Sequence, residues 1–390
     1  MVEGEGRLLM AVFCYRLRGV LRAVTSLHIG SGARTGVIKH CLPFIPGAVL
    51  RGAVGTAIIK SVCKLDKPLA DHESCKYFTE CLYARLFGEE FGKKSNVFFR
   101  FAYPLHLRCD KPFLPAPKTL ACCQNPQCRK EFDALFSPFE CDACSHSVKP
   151  FDGFKCEGCG LLERHPVTIS RVTLTAVDKG KVSAAQVAGA GTLHTLEIIP
   201  KDAKFACEVI VDGDFGREVD VVKAALVKAL PDEGIGGSKS RGLGKVEVED
   251  LCVEELDGDV VRKRAEEIDV RRFSVRLVSP MVLEGKTLEP TSLLEAARRA
   301  YTWVFHEGKP RLPEVRLEGK RVGIEMFSGW SLKTGRRRRI EPAVSAGSVF
   351  QFRCDENSRE LALALAALEY YAVGACKPHG CGQVVVEAAR

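Results

Sequence analysis

The sequence predicts an α+β protein in which two similar units follow one another along the chain. Both units show the order strand, helix, one or more strands, helix, strand, judged from the spacing of their apolar residues. Both also end in Gly-x-Gly-(Lys/Gln)-Val-x-Val, at residues 242–248 and 380–386, after a helix and a basic linker. This order is that of the ferredoxin-like, or RNA-recognition-like, fold. We therefore expect two ferredoxin-like domains in tandem, related by an internal duplication.

The first domain is expected at residues 1–104 and 165–255. Residues 16–30 alternate like a long strand, and a glycine-rich loop follows at 30–36. Pro46 suits the first turn of a helix, where no amide hydrogen is needed, and apolar residues recur at helical spacing after it. The remaining expected elements are strands at 96–104, 165–177, 192–200 and 204–213, a helix at 217–230, and a strand at 245–250.

The second domain is expected at residues 268–390. A strand at 271–280 precedes a helix at 291–305, which opens with a capping box between Ser292 and Glu295. A further strand is expected at 348–354 and a strongly amphipathic helix at 358–373. The glycine-rich segment and last strand then end the chain.

Composition limits the classes of protein that this chain can be. The 390 residues are 46% hydrophobic and carry a net charge of +8, which is enough for two or three packed domains and suits a polyanionic partner. No apolar run reaches the length of about 18 residues that a membrane-spanning helix needs. Acidic residues precede the short apolar patch at the N-terminus, which is the wrong order for a secretory signal. We expect a soluble, cytoplasmic protein.

Residues 105–164 form a cysteine-rich insertion in the first domain, where hydrophobic periodicity fades. The spacing Cys141-x2-Cys144-x11-Cys156-x2-Cys159 gives two Cys-x2-Cys knuckles, which predict one structural, zinc-ribbon-like zinc site with four thiolate ligands. An alternative pairing replaces one knuckle with residues from the group Cys122, Cys123 and Cys128. The sequence leaves that choice open, together with the disulfide state of the other cysteines.

A glycine-rich stretch at residues 236–248, "GGSKSRGLGKVEV", combines bare backbone amides with positive charge. It lacks the lysine of a phosphate-binding P-loop, and it follows a helix and opens a strand, the reverse of a dinucleotide fingerprint. It shares the frame of an RNA-recognition strand but has none of its aromatic residues. Such a loop can approach phosphates closely while its cations neutralise them. The expected RNA contacts here are Gly236, Gly237, Ser238, Lys239, Ser240, Arg241, Gly242, Gly244 and Lys245. The alternative is a tight turn whose glycines only supply positive φ angles.

Four consecutive arginines, Arg336, Arg337, Arg338 and Arg339, stand in one loop with Lys333 and with Trp330 nearby. Such a run repels itself unless an anion is present, so a nucleic-acid backbone is the expected partner. The alternative is a solvated surface loop.

These features together resemble the CRISPR-associated RAMP superfamily, whose members are built from RNA-recognition-like domains. The resemblance rests on residues 236–248, on "LHIGSG" at the end of the first strand, and on "PFIPGAVLRGAV" with its Pro-Gly-x-x-Leu-Arg-Gly core. The whole chain is similar to the two-domain RAMP subunit of type III-D effector complexes. The segment "FSGWSLKTGRRRRIEPAVSAGSVFQF" and the cysteine-rich insertion fit that subunit.

The resemblance implies a function and a set of partners. Subunits of this fifth-Cas type hold the 5′ handle of the CRISPR RNA (crRNA), cap the backbone filament, and are generally not nucleases. The expected partners are crRNA, the large subunit and the backbone RAMP subunits, without a membrane. The start of the first helix, with Gly47 and Arg51, would line the RNA groove together with the first glycine stretch. Lys377 and His379 of the second glycine segment are further expected RNA contacts.

Three alternatives remain at this stage. A processing endoribonuclease would use a histidine as general acid or base, with His28, His40 and His379 as candidates. A backbone RAMP subunit would cut target RNA with a loop aspartate and a metal, and the candidates are Asp66, Asp71 and Asp133. The third alternative is an RNA-binding protein outside CRISPR systems. We expect no catalysis.

Overall fold

The computed structural model describes residues 11–69, 71–89, 94–128, 130–133, 135, 140–175, 193–283, 287–331 and 333–389. A π-helical turn, Ala225–Ala229, joins two of the helices in this part of the chain. The α-helices are α1 Gly47–Val62, α2 Leu82–Phe87, α3 Val219–Ala224, α4 Leu230–Glu233, α5 Gly258–Ala265, α6 Pro290–Phe305 and α7 Arg359–Tyr371.

The strands fall into several antiparallel sheets with one short parallel pairing. In chain order they are β1 Cys14–Ala23, β2 Gly30–Thr35, β3 Ile38–Cys41, β4 Val97–Phe99, β5 Tyr103–His106, β6 Lys111–Pro115, β7 Leu120–Cys123, β8 Glu131–Asp133, β9 Val148–Pro150, β10 Phe154–Cys156, β11 Leu162–Glu163, β12 Ser170–Thr175, β13 Leu193–Ile198, β14 Lys204–Asp212, β15 Val246–Leu256, β16 Arg272–Leu277, β17 Arg316–Arg321, β18 Ile324–Phe327, β19 Trp330–Ser331, β20 Arg336–Arg337, β21 Glu341–Val344, β22 Val349–Arg353 and β23 Val384–Ala388.

The N-terminal half is built on the antiparallel arrangement β15-β1-β14-β4. Alternate residues of β1 point into one apolar core, so Leu17 and Leu21 are fully buried there. Val54 and Ile58 of α1 pack into the same core, and the helical segment α3–α4 adds further apolar residues. The amphipathic helices therefore cover one face of this sheet.

The C-terminal half has a second sheet, in the order β17-β22-β16-β23. Phe273, Phe350 and Phe352 are completely buried in a second core, against α6 and α7. The chain at the entry to β1 also contributes to this core, because Phe13, the residue before β1, packs edge-on against Trp303 of α6 with ring centroids 5.0 Å apart. The expected α+β class with antiparallel sheets is confirmed. The exact domain boundaries stay a prediction.

The cysteine-rich insertion continues the first sheet instead of standing apart from it. β5 pairs with β14, and β6, β10 and β11 extend the sheet from β5. A small separate sheet, β8-β7-β9, carries the rest of the insertion. Two turns rich in cysteine lie at the ends of these short strands.

Two local predictions differ from the structure. The first strand ends at Ala23, and residues 30–35, expected as a loop, form β2, which pairs with β3 in the sheet β12-β13-β3-β2. The small residues of β2 pair with β3 because the chain reverses at Gly36, where φ is 57°, and this brings β3 alongside β2.

The predicted capping box is also displaced by one turn. Pro290 occupies the first helical position of α6, so Glu289 is the N-cap and Ser292 is the third helical residue. The backbone amide of Glu289 donates to Ser292 Oγ at 3.0 Å. The box exists, but it joins Glu289 to Ser292 instead of Ser292 to Glu295.

No helix in the described ranges is both long and apolar enough to cross a bilayer. The cysteines, all of which lie in described segments, form no disulfide.

Candidate nucleic-acid interface and metal centres

A large open groove, of about 1040 Å³, lies where the two halves of the chain meet. Its walls come from the β2 hairpin at residues 30–33, the start of α1, the first glycine stretch and a long excursion of the second half. That excursion, residues 324–344, contains β18 to β21 and is called the arm below. The volume lies just above the range of about 300–1,000 Å³ typical of small-molecule pockets, so there is room for a segment of polymer.

The first glycine loop has backbone geometry that only glycine fits at several positions. Gly236, Gly242 and Gly244 have positive φ, and a Cβ on Gly244 would lie 2.4 Å from the carbonyl oxygen of Ile235. The amide of Gly237 donates to the carbonyl of His28 at 2.9 Å, which fixes the loop beside the β2 hairpin. The loop is thus a tight turn whose positive φ angles need glycine, as the alternative interpretation of its glycines required.

The second glycine loop repeats this conformation. Each contains a short 3₁₀ turn, Lys239–Arg241 in one and Lys377–His379 in the other. The residue before the turn is left-handed in both, with φ and ψ of 60° and 29° at Ser238 and 57° and 26° at Cys376. The glycine after it is left-handed as well, at Gly242 and Gly380. This match of dihedral angles supports the duplication inferred from sequence.

The two loops differ in exposure. Gly236, Gly237 and Lys239 line the groove, whereas Gly244 is buried beneath the loop. Lys239 forms an ion pair with Glu233 at 3.4 Å. Outside the groove lining, Ser238 is half-buried, and the exposed loop residues are Ser240, Arg241, Gly242 and Lys245.

The second loop is largely interior. Its His379 is 6% exposed, and burial, followed by the nearby charges of Arg51 and Arg338, lowers the pKa of its imidazole well below the usual value. His379 still borders the groove, with its Nδ1 atom lacking a hydrogen-bond partner. Lys377 packs its ammonium 3.4 Å from the ring centroid of Tyr371, and burial lowers the pKa of Lys377 to about 7. The structure therefore makes Lys377 a packed residue rather than a cation open to RNA.

Arg51 and Gly47, at the start of α1, both contact the interior of the protein. The Arg51 guanidinium donates to the carbonyl of Phe87 at 2.6 Å, to Ser95 Oγ at 3.0 Å and to the carbonyl of Val97 at 3.4 Å. It also stacks over the Phe87 ring at 4.8 Å, and burial lowers the pKa of Arg51 to about 10. These hydrogen bonds hold the guanidinium against the protein interior. Arg51 also lines the groove, and its contact with RNA stays a prediction.

Gly47 is likewise a packing residue. A Cβ at this position would lie 2.1 Å from the carbonyl oxygen of Phe99 and 2.7 Å from that of His379. The glycine lets the first helix approach the second glycine loop closely, and it is buried. Its neighbours Pro46, Ala48 and Val49 line the groove in its place.

The arm brings the arginine run to the groove. Arg337 and Arg338 line it, and Arg337 lies directly over Gly32 of the β2 hairpin, where an added Cβ would be 1.9 Å from its Nη2. Within the described residues, Arg336, Arg337 and Arg339 are exposed and form no ion pair. Trp330 also lines the groove and is 62% exposed. Arg336 and Arg339 lie outside the lining.

Sequence reasoning missed several residues of the groove. Ser31 and Ala33 of the β2 hairpin belong to the wall, and Asp71 and Glu73 lie opposite the arm. Lys333 of the arm forms ion pairs with these two carboxylates, at 3.0 Å to Asp71 and 3.8 Å to Glu73. No pattern in the sequence links residues so far apart, although Lys333 stood in the charged run.

The histidines and aspartates considered for catalysis occupy different settings. His28 is buried and its Nδ1 lies 2.7 Å from the carbonyl of Glu197. His40 is half-buried, with Nδ1 3.1 Å from Glu197 Oε2 and Nε2 2.8 Å from Thr35 Oγ1. Asp71 is engaged by Lys333, and Asp133 Oδ1 accepts from a backbone amide at 2.9 Å.

The insertion contains two clusters of metal-ligating side chains, each with four donors. The His106 cluster consists of His106, Cys109, Cys156 and Cys159, and the Cys123 cluster of Cys123, Cys128, Cys141 and Cys144. In each, the donor atoms lie within 4.8 Å of one another. Either cluster could therefore hold a metal ion.

This arrangement corrects the predicted grouping of Cys141, Cys144, Cys156 and Cys159 around one ion. All four are in candidate metal clusters, but the two knuckles belong to different ones. The reason is that β10 carries Cys156 next to β6, beside the turn that bears His106 and Cys109, whereas β9 pairs with β7, which ends at Cys123. The short upstream spacings His106-x2-Cys109 and Cys123-x4-Cys128 were the signals that could have revealed two sites.

The distances between sulfur atoms in the Cys123 cluster fit tetrahedral coordination of one metal ion. Cys123 Sγ lies 3.4 Å from Cys144 Sγ, and Cys128 Sγ lies 3.7 Å from Cys141 Sγ. Four thiolates around one zinc at bonds of about 2.3 Å would be about 3.8 Å apart. A disulfide would need about 2.05 Å.

Comparisons with known proteins give the family context. Residues 20–247, more than half of the chain, match the family model of the RAMP superfamily, and residues 247–386 match that of a CRISPR-associated protein (Cas_Cmr3). No curated protein matches the sequence.

Solved structures are similar only at the level of coarse shape. A Cas6 product complex has 12% sequence identity and a TM-score of 0.40, covering 97% of this chain and 100% of the other. A cryo-EM structure of the type III-B Cmr-beta complex bound to cognate target RNA has 16% identity and a TM-score of 0.33, covering 62% and 61%.

Proposed function

Because the chain belongs to the RAMP superfamily, we propose that it is an RNA-binding subunit of a type III CRISPR effector complex. Its groove would hold the 5′ handle of the crRNA without cutting it, and the large subunit and backbone RAMP subunits would be its neighbours. The match of residues 247–386 to a CRISPR-associated family supports that setting. The observation that carries the proposal is the convergence of the first glycine loop, the α1 start and the arm on one groove.

The groove offers the chemistry that a ribose-phosphate chain needs. Lys239 and Arg337 supply positive charge to the groove, which can neutralise phosphates. Gly237 and Gly32 lie beside them, with the Gly237 amide bonded to the carbonyl of His28 and Gly32 covered by Arg337. Trp330 supplies an exposed ring on which an unpaired base can stack. Pro46, Ala48 and Val49 at the start of α1 line the same space, and the positive end of a helix dipole favours an anion.

The proposal includes two finer points. The equal loop conformations in both halves support two ferredoxin-like domains in tandem. We infer zinc as the metal of both clusters, in a structural role, because soft thiolates with one imidazole select zinc and no ligand position is left for water.

A binding experiment tests the groove. The double variant Lys239→Ala, Arg337→Ala removes two charges from the groove, and Lys228→Ala, Arg311→Ala removes two exposed charges outside its lining. A hydrogen bond to a charged group contributes about 1.5 kcal/mol at the lower end, so the groove variant should bind handle RNA about 100-fold more weakly. Its affinity should also fall less steeply with salt.

Fluorescence anisotropy with a labelled crRNA, at several salt concentrations, measures both quantities. The control variant should retain the wild-type affinity to within a few-fold, because its charges contact no RNA in this proposal. Equal losses in the two double variants would show that the groove has no special part in binding.

A second candidate function, an endoribonuclease that processes crRNA precursors, has one observation in its favour. The His40 imidazole is oriented by the carboxylate of Glu197, an arrangement suited to a general base. Incubation of the protein with repeat-containing RNA in EDTA distinguishes the two. Specific cleavage that is lost in His40→Ala would establish the enzyme, whereas binding without cleavage supports the non-catalytic subunit.

A further inference from the structure

We propose that the His106 cluster is a zinc centre that fixes the second half of the molecule against the first, while the Cys123 cluster stabilises only the insertion. This inference uses the zinc assignment above but does not depend on RNA binding. It rests on the donor geometry of the His106 cluster and on the carboxylate of Glu157, which lies between the ligands Cys156 and Cys159 in the sequence.

The four donors of the His106 cluster are already arranged around one point. His106 Nδ1 lies 3.1 Å from Cys109 Sγ and 3.4 Å from the Sγ atoms of Cys156 and Cys159. Cys109 and Cys156 are 3.3 Å apart at sulfur. These separations are slightly under the roughly 3.5–3.8 Å expected between ligands of a tetrahedral zinc. They are far longer than the disulfide bond of about 2.05 Å.

Two tight turns present these donors to one another. In the turn between β5 and β6, the amides of Cys109 and Asp110 donate to the carbonyl of His106 at 3.2 and 2.9 Å. In the facing turn, the amide of Gly160 donates to the carbonyl of Cys156 at 3.0 Å. Each turn closes on itself, so the backbone sets the direction of its donors before any metal binds. A metal ion would join the two turns.

The facing turn also carries the link to the second half. Glu157, which follows the ligand Cys156, accepts from Arg276 Nη2 at 3.2 Å. Arg276 stands on β16, the inner strand of the second sheet, and its side chain is 5% exposed. The same guanidinium donates to Glu387 Oε1 at 2.8 Å and to the carbonyl of Pro115 at 3.2 Å.

A buried guanidinium depends on its partners, because an uncompensated charge in the interior is strongly unfavourable. Of the three groups around Arg276, Glu157 and Pro115 come from the insertion and only Glu387 from the second half. Glu157 is held in place by the turn whose first and last cysteines are metal ligands. Loss of the metal would remove the side-chain links from this turn to His106 and Cys109. The turn would then be held by backbone hydrogen bonds alone, among them that from the Glu157 amide to the Pro112 carbonyl at 3.1 Å, and the carboxylate that the buried arginine needs would be less firmly placed.

The Cys123 cluster has no such connection. Among the described residues, the hydrogen bonds of its two ligand-bearing segments, 123–128 and 141–144, stay within the insertion. Lys130 pairs with Asp142 beside it, again inside the insertion. The insertion also meets the second half near this cluster, where the amide of Lys118 donates to the carbonyl of Gly347 at 2.7 Å and Leu135 lies beside Gly319 of β17. The two centres still provide a comparison of similar donor sets, because among the described residues only the His106 cluster has a ligand-bearing turn that is hydrogen-bonded to the second half.

The experiment measures zinc content and backbone exchange in the full chain. Elemental analysis should give two zinc ions per wild-type chain, one in His106→Ala, one in Cys141→Ser, and two in His106→Cys, which restores a four-donor set. Hydrogen–deuterium exchange should then increase several-fold in β16 and β23 for His106→Ala. It should stay at the wild-type rate there for Cys141→Ser and His106→Cys.

Glu157→Gln separates metal binding from the link. It should keep both zinc ions and still raise exchange in β16 and β23, because the carboxylate is lost while the turn stays intact. The inference is overturned if His106→Ala retains two zinc ions, if it and Cys141→Ser affect β16 equally, or if Glu157→Gln leaves the exchange of both strands unchanged.

Discussion

Replacement of Arg51 tests whether this residue supports the fold or contacts RNA in the groove that it lines. The guanidinium makes three hydrogen bonds, to two carbonyls and one hydroxyl, inside the first half of the molecule. At about 1.5 kcal/mol each they contribute about 4.5 kcal/mol, and release of a buried charge offsets part of this. We expect Arg51→Met to lower the free energy of unfolding by about 3 kcal/mol.

Arg51→Lys sharpens the test, because lysine keeps the positive charge but a single ammonium cannot reach all three acceptors. If the residue is structural, both variants are destabilised. If it contacts RNA through its charge, the lysine variant retains binding and the methionine variant does not. Arg311→Met, at an exposed arginine, is the control for loss of one charge.

Urea unfolding followed by circular dichroism gives the stability, and anisotropy with labelled crRNA gives the affinity of the folded protein. The expected result is a lower unfolding midpoint for both Arg51 variants with unchanged RNA affinity. Wild-type stability together with weaker RNA binding in Arg51→Met would refute the structural assignment.

Two further predictions concern backbone strain and pH. Gly244→Ala should lower the melting temperature clearly more than Gly242→Ala. Both glycines have positive φ, but only at Gly244 would a Cβ lie against the carbonyl of Ile235. Equal melting temperatures of the two variants would contradict this. Hydrogen bonds from Lys204 and Arg22 lower the pKa of Glu249 below its usual 4.5. Its stabilisation, under about 1 kcal/mol for this surface cluster, is present above pH 4.5 and lost as the pH falls through the folded-state pKa. Glu249→Gln should therefore flatten the acid limb of a stability–pH curve, and an unaltered limb would exclude the assignment.

Hydrophobic periodicity was sufficient to identify most of the regular elements. The strand at 204–213 and the helix at 291–305 were placed within a residue or two, because one face of each is apolar and the other polar. The β2 hairpin was missed, because its residues are small and exposed and its pairing with β3 leaves no apolar pattern. The π-helical turn before α4 was missed for a similar reason, since its sequence reads as ordinary helix.

The residues of the candidate site also divide into those that the sequence could identify and those that it could not. The first glycine loop and the arginine run were found from sequence, because charge and glycine content are local properties. The sequence could not show that Arg51 is buried or that Arg337 lies over Gly32, since both depend on contacts between distant segments. The sequence also could not show that the ammonium of Lys377, an expected RNA contact, packs on Tyr371.

The amino-acid sequence by itself determined the α+β class, the repeated glycine loop and the presence of thiol ligands in Cys-x2-Cys pairs. Each of these depends on residues that are close together in the chain, through short-range sterics, hydrophobic periodicity or the spacing of metal ligands. Only the tertiary structure decided which knuckle joins which partner turn and which arginines face the groove. It also decided that a carboxylate within a metal turn supports Arg276 of the other half. Those outcomes depend on strand pairing and burial between residues far apart in the chain, which no local pattern encodes.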